Sequence, residues 1–221
     1  MTGSDANDEE PHNTEPRDPM DPSSMASLKH WGDPLETGAT GQMLTEVTVD
    51  CGWGRLIFGQ TFDDPERLSR TIQLEKEGRR DIALYVRNPH VVISYAPQDI
   101  FIDPSHTYRL DLHDFSSSGE PPEGIAIRPF RESDYPVDIN RLYLTRNMTP
   151  PYDGFYDKHG TEGDAAVELL VAEDVKSGAI IGVVTGVDHK LAFNDPDNGC
   201  SLWSLAVDPQ AQVPAIGEWL S

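Results

Sequence analysis

The sequence predicts an α+β fold, on three observations. Short β-branched or aromatic runs cluster between Leu44 and Phe115 with one helical pattern among them. A second stretch from Ile125 reads strand, helix, strand, hairpin, strand, strand. Between the two lies Ser116-Ser117-Ser118-Gly119-Glu120-Pro121-Pro122-Glu123-Gly124, whose Gly and Ser confer flexibility and whose prolines favour extension. Two units joined by a linker at 116–124 follow: a small α+β domain at 44–115 and a second domain at 125–221.

Residues 1–43 are crowded with Asp, Glu, Pro, Ser, Asn and Gly. So few aliphatic side chains cannot bury enough area to offset the entropy of ordering, which predicts a disordered acidic leader. In the first unit, Val47–Val49, Arg55–Phe58, Ile82–Val86, Val91–Tyr95 and Tyr108–Leu112 read as strands. One helix follows Asp64, a good N-cap, with Pro65 at the first helical position. Leu68 and Ile72 share its face, and Gly78 closes the run. His90 and His106 lie beside Pro89 and Pro104 and read as turn or strand-end residues.

In the second unit, strands are expected at Ile125–Arg128, Val167–Ala172, Ala179–Val187 and Cys200–Val207, with a hairpin at Lys176-Ser177-Gly178. The helix from about Asp134 to Arg146 carries Ile139, Leu142, Tyr143 and Arg146 at three- and four-residue spacing, so one stripe faces a sheet. A helix stub is expected from Pro214 to Ser221.

The chain has 221 residues, 38 acidic against 17 basic, for a formal charge of −21, and only five of the basic residues are Lys. Nucleic acid and anionic membranes are poor partners for such a surface, which suits a cell with high or variable internal salt. No apolar run approaches the roughly 20 residues that span a bilayer, and no signal-peptide pattern opens the chain, so a cytoplasmic location is the default. Cys51 and Cys200 have no metal-ligand spacing and read as buried small hydrophobes in a reducing compartment. No metal site is expected.

The most informative stretch runs from Val207 to Leu220. A strand that turns into a helix there presents unpaired amides where the helix dipole is positive, which suits an anionic pyrophosphate. The small residues Ala215 and Gly217 allow close approach, while Pro214 removes one donor. No Lys or Arg follows Lys190, so contacts made within this stretch must come from amides and the Gln212 side chain.

Three stretches in order resemble the Gcn5-related N-acetyltransferase superfamily. Ile127-Arg128-Pro129 followed by Asp134 is similar to its first strand and the cap of its first helix. Val171-Ala172-Glu173, Gly178, Ile180-Ile181-Gly182 and Val184 are similar to its second and third strands. Val207, Pro209, Gln212, Ala215, Gly217 and Leu220 match the spacing of its acetyl-CoA motif, with Ala215 where Gly is usual. The resemblance implies a mixed, mostly antiparallel sheet and acetyl-CoA as cofactor. The pantetheine arm would pair with Leu205, Ala206 and Val207, and the diphosphate would lie on Gln212, Val213, Ala215, Ile216 and Gly217.

Family members often carry Glu or His on the fourth strand as base, at positions that fall on Ser201 and Trp203 here. Neither is a base near neutral pH, so Asp188 and His189 at the end of the third strand become the catalytic candidates. The loop Met148 to Tyr156 occupies the usual acceptor pocket, where Asp153 could meet an amino group and Tyr152 line the site, or the loop could simply pack on the sheet.

More narrowly, Cys51 to Phe62 and Asp103 to Leu110 resemble the front of the N-acetylglutaminylglutamine synthetases, in which an acetyltransferase region precedes an ATP-grasp ligase. That implies acetylation of a small amino acid or dipeptide of glutamine type in osmolyte synthesis. The alternative is a non-catalytic scaffold for such a ligase. The family's fifth strand and the later helix bearing its usual tyrosine acid are not in these residues, so the chain alone is expected to lack turnover and to aggregate or dimerise through its fourth strand.

Overall fold

The computed structural model describes residues 43–105, 110, 112, 115, 119–158, 165–211, 213 and 215–221. The protein is α+β, with five α-helices and two sheets among these residues. The leader up to residue 42, His106, residues 116–118 of the linker, Gln212 and Pro214 lie outside them. So does most of the Tyr108–Leu112 strand; its two described residues, Leu110 and Leu112, are not in a strand.

The first sheet is formed by β1 (Thr48–Asp50), β2 (Arg55–Phe58) and β3 (Ile82–Leu84), antiparallel then parallel. Helix α1 (Pro65–Ile72) makes the crossover, and the Asp64 carboxylate accepts from the Glu66 amide at 2.9 Å as the sequence predicts. The helix ends before the expected Gly78, which instead takes a left-handed turn (φ 74°) on the way to β3. The Arg55 side chain clamps this connection, donating to Asp81 from Nε at 2.9 Å and from a terminal nitrogen at 2.6 Å.

Val91–Tyr95 is not a strand. Helix α2 (Pro89–Ser94) occupies it and carries the exposed His90. Pro89 sets the helical φ at the first position, where its missing N–H costs nothing. Only Val92 of the β-branched run is buried, against Ile57, Phe62 and Leu68, which suits a helix face better than strand alternation.

The second sheet is antiparallel in the order β4 (Ile125–Pro129), β5 (Val167–Asp174), β6 (Ala179–Asp188) and β7 (Cys200–Val207). Helix α3 (Pro136–Thr145) packs on β6 and β7. It begins after the expected Asp134, which caps nothing. The Asp134 carboxylate instead takes two bonds from Arg128, at 2.7 and 2.8 Å, and one from the Arg131 amide. Arg128 also reaches Glu173 at 2.6 Å, tying β4 to β5 and to the loop before α3. The short helices α4 (His189–Phe193) and α5 (Ile216–Leu220) complete the fold.

The sheet is covered on both faces. On one, Val171, Val183, Val187 and Ala206 meet Ile139, Leu142 and Tyr143 of α3, and the same core takes in Val49, Cys51, Trp53, Leu56 and Phe58 from the first sheet. The residues expected as two units thus share one apolar cluster, closed further by hydrogen bonds from Leu44 N to Phe193 O and from Tyr152 N to Gly52 O. On the other face, Ile216 and Leu220 of α5 pack on Ala172 and Val184. Cys51 is buried, but Cys200 is exposed at the start of the edge strand. No helix among the described residues is long and apolar enough to cross a membrane.

Gly54 marks the tightest backbone approach. The Arg80 amide donates to Trp53 O at 3.0 Å, and a Cβ on Gly54 would lie 1.8 Å from the Arg80 carbonyl oxygen. Backbone cannot yield as a flexible side chain can, so Gly54→Ala is expected to cost about 3 kcal/mol in urea unfolding. An unchanged midpoint would contradict the β1–β2 turn described here.

Candidate functional site

Strand β7 organises the site. Among the described residues it pairs with β6 alone, so its other edge has no strand partner. The pairing slips between Val183 and Thr185, and Ser204 opposite takes a left-handed backbone (φ 52°). A bulge of this kind bends the strand and re-aims its side chains. Leu205 beyond it is exposed, Ala206 is buried and Val207 is half-buried.

At Val207 the chain turns sharply. Asp208 N donates to Ile181 O at 2.8 Å, Ala211 N to Asp208 O at 3.1 Å and Gln210 N to the Asp208 carboxylate at 2.8 Å. Ala215 is left-handed (φ 64°), a conformation that is free for Gly and costs roughly 1 kcal/mol for other residues. It leads into α5, whose first amides, at Ile216 and Gly217, have no acceptor inside the helix. Gly217 lies beside Leu205 and Val207. The structure therefore gathers Leu205, Ala206, Val207, Val213, Ala215, Ile216 and Gly217 at one end of the sheet.

Cations reach this end from α3, which the spacing of the last stretch could not reveal. Arg146 Nε donates to Val207 O at 2.7 Å, and Arg141 donates to the Asp208 carboxylate at 2.8 Å. Both arginines are exposed. The Arg141 bond, aided by the Gln210 amide, holds the Asp208 carboxyl below the usual carboxylate range. A groove of about 320 Å³ adjoins the turn, lined by Ile125, Asp174, Ile181, Asp208, Gln210, Ala211 and Val213. Asp174 is also held low, by its bonds to Ser177 and the Lys176 amide.

The two predicted catalytic residues separate. Asp188 caps α4, its carboxylate accepting from the Leu191 amide at 2.9 Å. His189, by contrast, is buried at 5% exposure. Its Nε2 lies 2.8 Å from Ser201 Oγ, and its Nδ1 lies 3.7 Å from Asp195 Oδ2, beyond direct hydrogen-bond distance. Phe58, Phe193 and Tyr85 enclose the ring, with centroids at 5.2, 5.4 and 6.5 Å. Trp203 Nε1 donates to Ser201 Oγ at 2.7 Å.

Asp195 is the residue that sequence reasoning missed. It is 3% exposed, and its carboxylate accepts from the Gly199 amide at 3.0 Å and the Asp197 amide at 3.2 Å. Gly199 allows this meeting, since a Cβ there would lie 3.0 Å from Asp195 Oδ2 and 3.3 Å from His189 Nδ1. Burial works to raise the Asp195 carboxyl, but the partnership with His189 and the two amides outweigh it and hold the group below its usual value. An anion opposite Nδ1 favours the tautomer with hydrogen there. Nε2 is then free to accept from Ser201.

The predicted substrate residues lie elsewhere. The Tyr152 hydroxyl meets Asp50 at 3.3 Å, and the Arg79 guanidinium stacks 3.7 Å from the centre of the Tyr152 ring, so Tyr152 joins its loop to the β1–β2 turn. Asp153 beside it is exposed. None of these contacts involves the His189 cluster.

Asp195 makes the acid limb of stability testable. Its folded pKa lies below the unfolded value of about 3.9, so its contribution is fully present above that pH and is lost as pH falls through the folded pKa. Asp195→Asn is therefore expected to lower the urea midpoint at pH 7, with the gap to the unmodified chain closing below about pH 4. A gap that stayed constant with pH would contradict an ionised Asp195.

Compared with family models, curated proteins and solved structures, the chain finds no match, so its functional reading rests on its residues and their geometry.

Proposed function

We propose that this chain is part of an acetyl-CoA-dependent N-acetyltransferase, directed at the amino group of a small amino acid or dipeptide of glutamine type in osmolyte synthesis. One observation carries the reading: a bulged edge strand runs into a tight turn and a helix start, with Arg146 at the turn and the His189–Ser201 pair at the strand's beginning. The motif spacing from Val207 to Leu220 and its resemblance to the acetyltransferases support it.

Bound acetyl-CoA would supply an acyl thioester. The outer edge at Leu205, Ala206 and Val207 would hold its arm. The amides of Val213, Ala215, Ile216 and Gly217, with Gln212 by resemblance, would face the diphosphate, and Arg146 would add the cation. His189 is the proton acceptor that Ser201 and Trp203 cannot be. Its Nε2 draws the Ser201 hydroxyl hydrogen, so an amine at Ser201 can lose its proton through that hydroxyl. Tyr152 is engaged with Asp50 and Arg79, which leaves the exposed Asp153 as the carboxylate of that loop for an amino group.

A second reading, a non-catalytic scaffold of a larger ATP-grasp ligase, draws support from the Asp174 carboxylate in the groove beside the turn, which disfavours a polyphosphate there. Calorimetry separates the two. The transferase reading expects saturable binding of acetyl-CoA that weakens as salt rises. Arg146→Glu should weaken it tenfold or more, about 1.4 kcal/mol. No heat at any ionic strength would remove this reading and leave the scaffold.

A further inference from the structure

We infer that Ser201 is an activated nucleophile, able to form a covalent acyl-serine with an activated ester or thioester. The inference departs from the proton relay proposed above, since Ser201 itself attacks the acyl group, and it rests on the geometry of Ser201, His189 and Asp195 alone.

Four observations point the same way. The Trp203 indole only donates hydrogen bonds, so its 2.7 Å contact occupies a lone pair of Ser201 Oγ and leaves the hydroxyl hydrogen for His189 Nε2, 2.8 Å away. Behind the imidazole stands Asp195, a buried carboxylate held by two amides. The rings of Phe58, Phe193 and Tyr85 fix the plane of the imidazole between them. Ser201 itself is only half-buried, on a strand with no further strand on its outer side among the described residues. A nucleophile in reach of a base, with the base backed by a third group, is the arrangement that hydroxyl nucleophiles require.

The step balances without any further reactant than an acyl donor and an acceptor. Ser201 Oγ bonds to the carbonyl carbon while its proton passes to His189 Nε2. The carbon–sulfur or carbon–oxygen bond breaks, and the leaving group departs with the proton held on Nε2. Water or an amine then attacks the acyl-serine and gives up a proton through His189. The serine hydroxyl is restored, and a carboxylic acid or an amide is released. His189 and Ser201 touch the reacting atoms, whereas Asp195 is a positioning residue.

The probe is an alkyl fluorophosphonate, which reacts by the same attack with loss of fluoride and carries no CoA. The intact chain is incubated with it, digested and mapped by mass spectrometry. The expected result is label on Ser201 at least tenfold above any other serine, abolished when the chain is first unfolded in urea. His189→Gln should remove the label while Ser94→Ala, on an exposed helix, retains it. Asp195→Asn should slow labelling, and Asp195→Glu should restore part of it. Label distributed over exposed serines, or Ser201 label that persists in urea, would overturn the proposal even if the His189 variant fails to fold. Acetyl-CoA binding is read separately by calorimetry, so either proposal can fail without the other.

Discussion

Phe58 is the contact on which the rest of the structure depends. It ends β2, is fully buried and lies 4.8 Å from Phe193 and 5.2 Å from His189 between ring centres. The β5–β7 face with Val171, Val183 and Val187 is too apolar to be left in water, and α3 alone does not cover it. The first sheet supplies the remaining cover, through Trp53, Leu56 and Phe58. One apolar contact therefore joins the two sheets and also removes the His189 ring from solvent. The buried setting of His189 is a consequence of how the core closes.

Charge is distributed with a similar economy. In a chain of net charge −21, the arginines that matter structurally sit at specific carboxylates and carbonyls. Arg128 gathers Asp134 and Glu173, and Arg55 holds Asp81. Arg141 pairs with Asp208, and Arg146 bonds the Val207 carbonyl, so both tie α3 to the end of β7. Planar guanidinium groups make paired bonds that lysine cannot, which accounts for their use at these joints. Asp174 on the other side of the same turn bonds Ser177 and the Lys176 amide instead.

Much of the fold was legible. Strand periods, the Asp64-Pro65 helix start and the Gly178 hairpin are local signals, and the structure follows them closely in β2, β6 and β7. Val91–Tyr95 was misread because β-branched residues signal strand only when nothing else decides the backbone. There Pro89 and the burial of Val92 decide it. The helix α4 was also unseen, although Asp188 as a cap and Asn194 in the left-handed region (φ 61°) bracket it in the sequence.

What the sequence by itself determined is the order of β1 to β7 with α1, α3 and α5, the apolar faces and the stretch from Val207 to Leu220, because each depends on neighbours a few residues apart. What only the tertiary structure decided is which polar groups meet. Ser201 reaches His189 because β6 and β7 pair Val187 with Ser201 and because α4 folds back at Asp188. Asp195 joins them because Gly199 has no side chain. Arg146 arrives at Val207 across 61 residues. Hydrogen bonds and charges act over a few ångströms of space and carry no period along the chain, so only folding brings these partners into view.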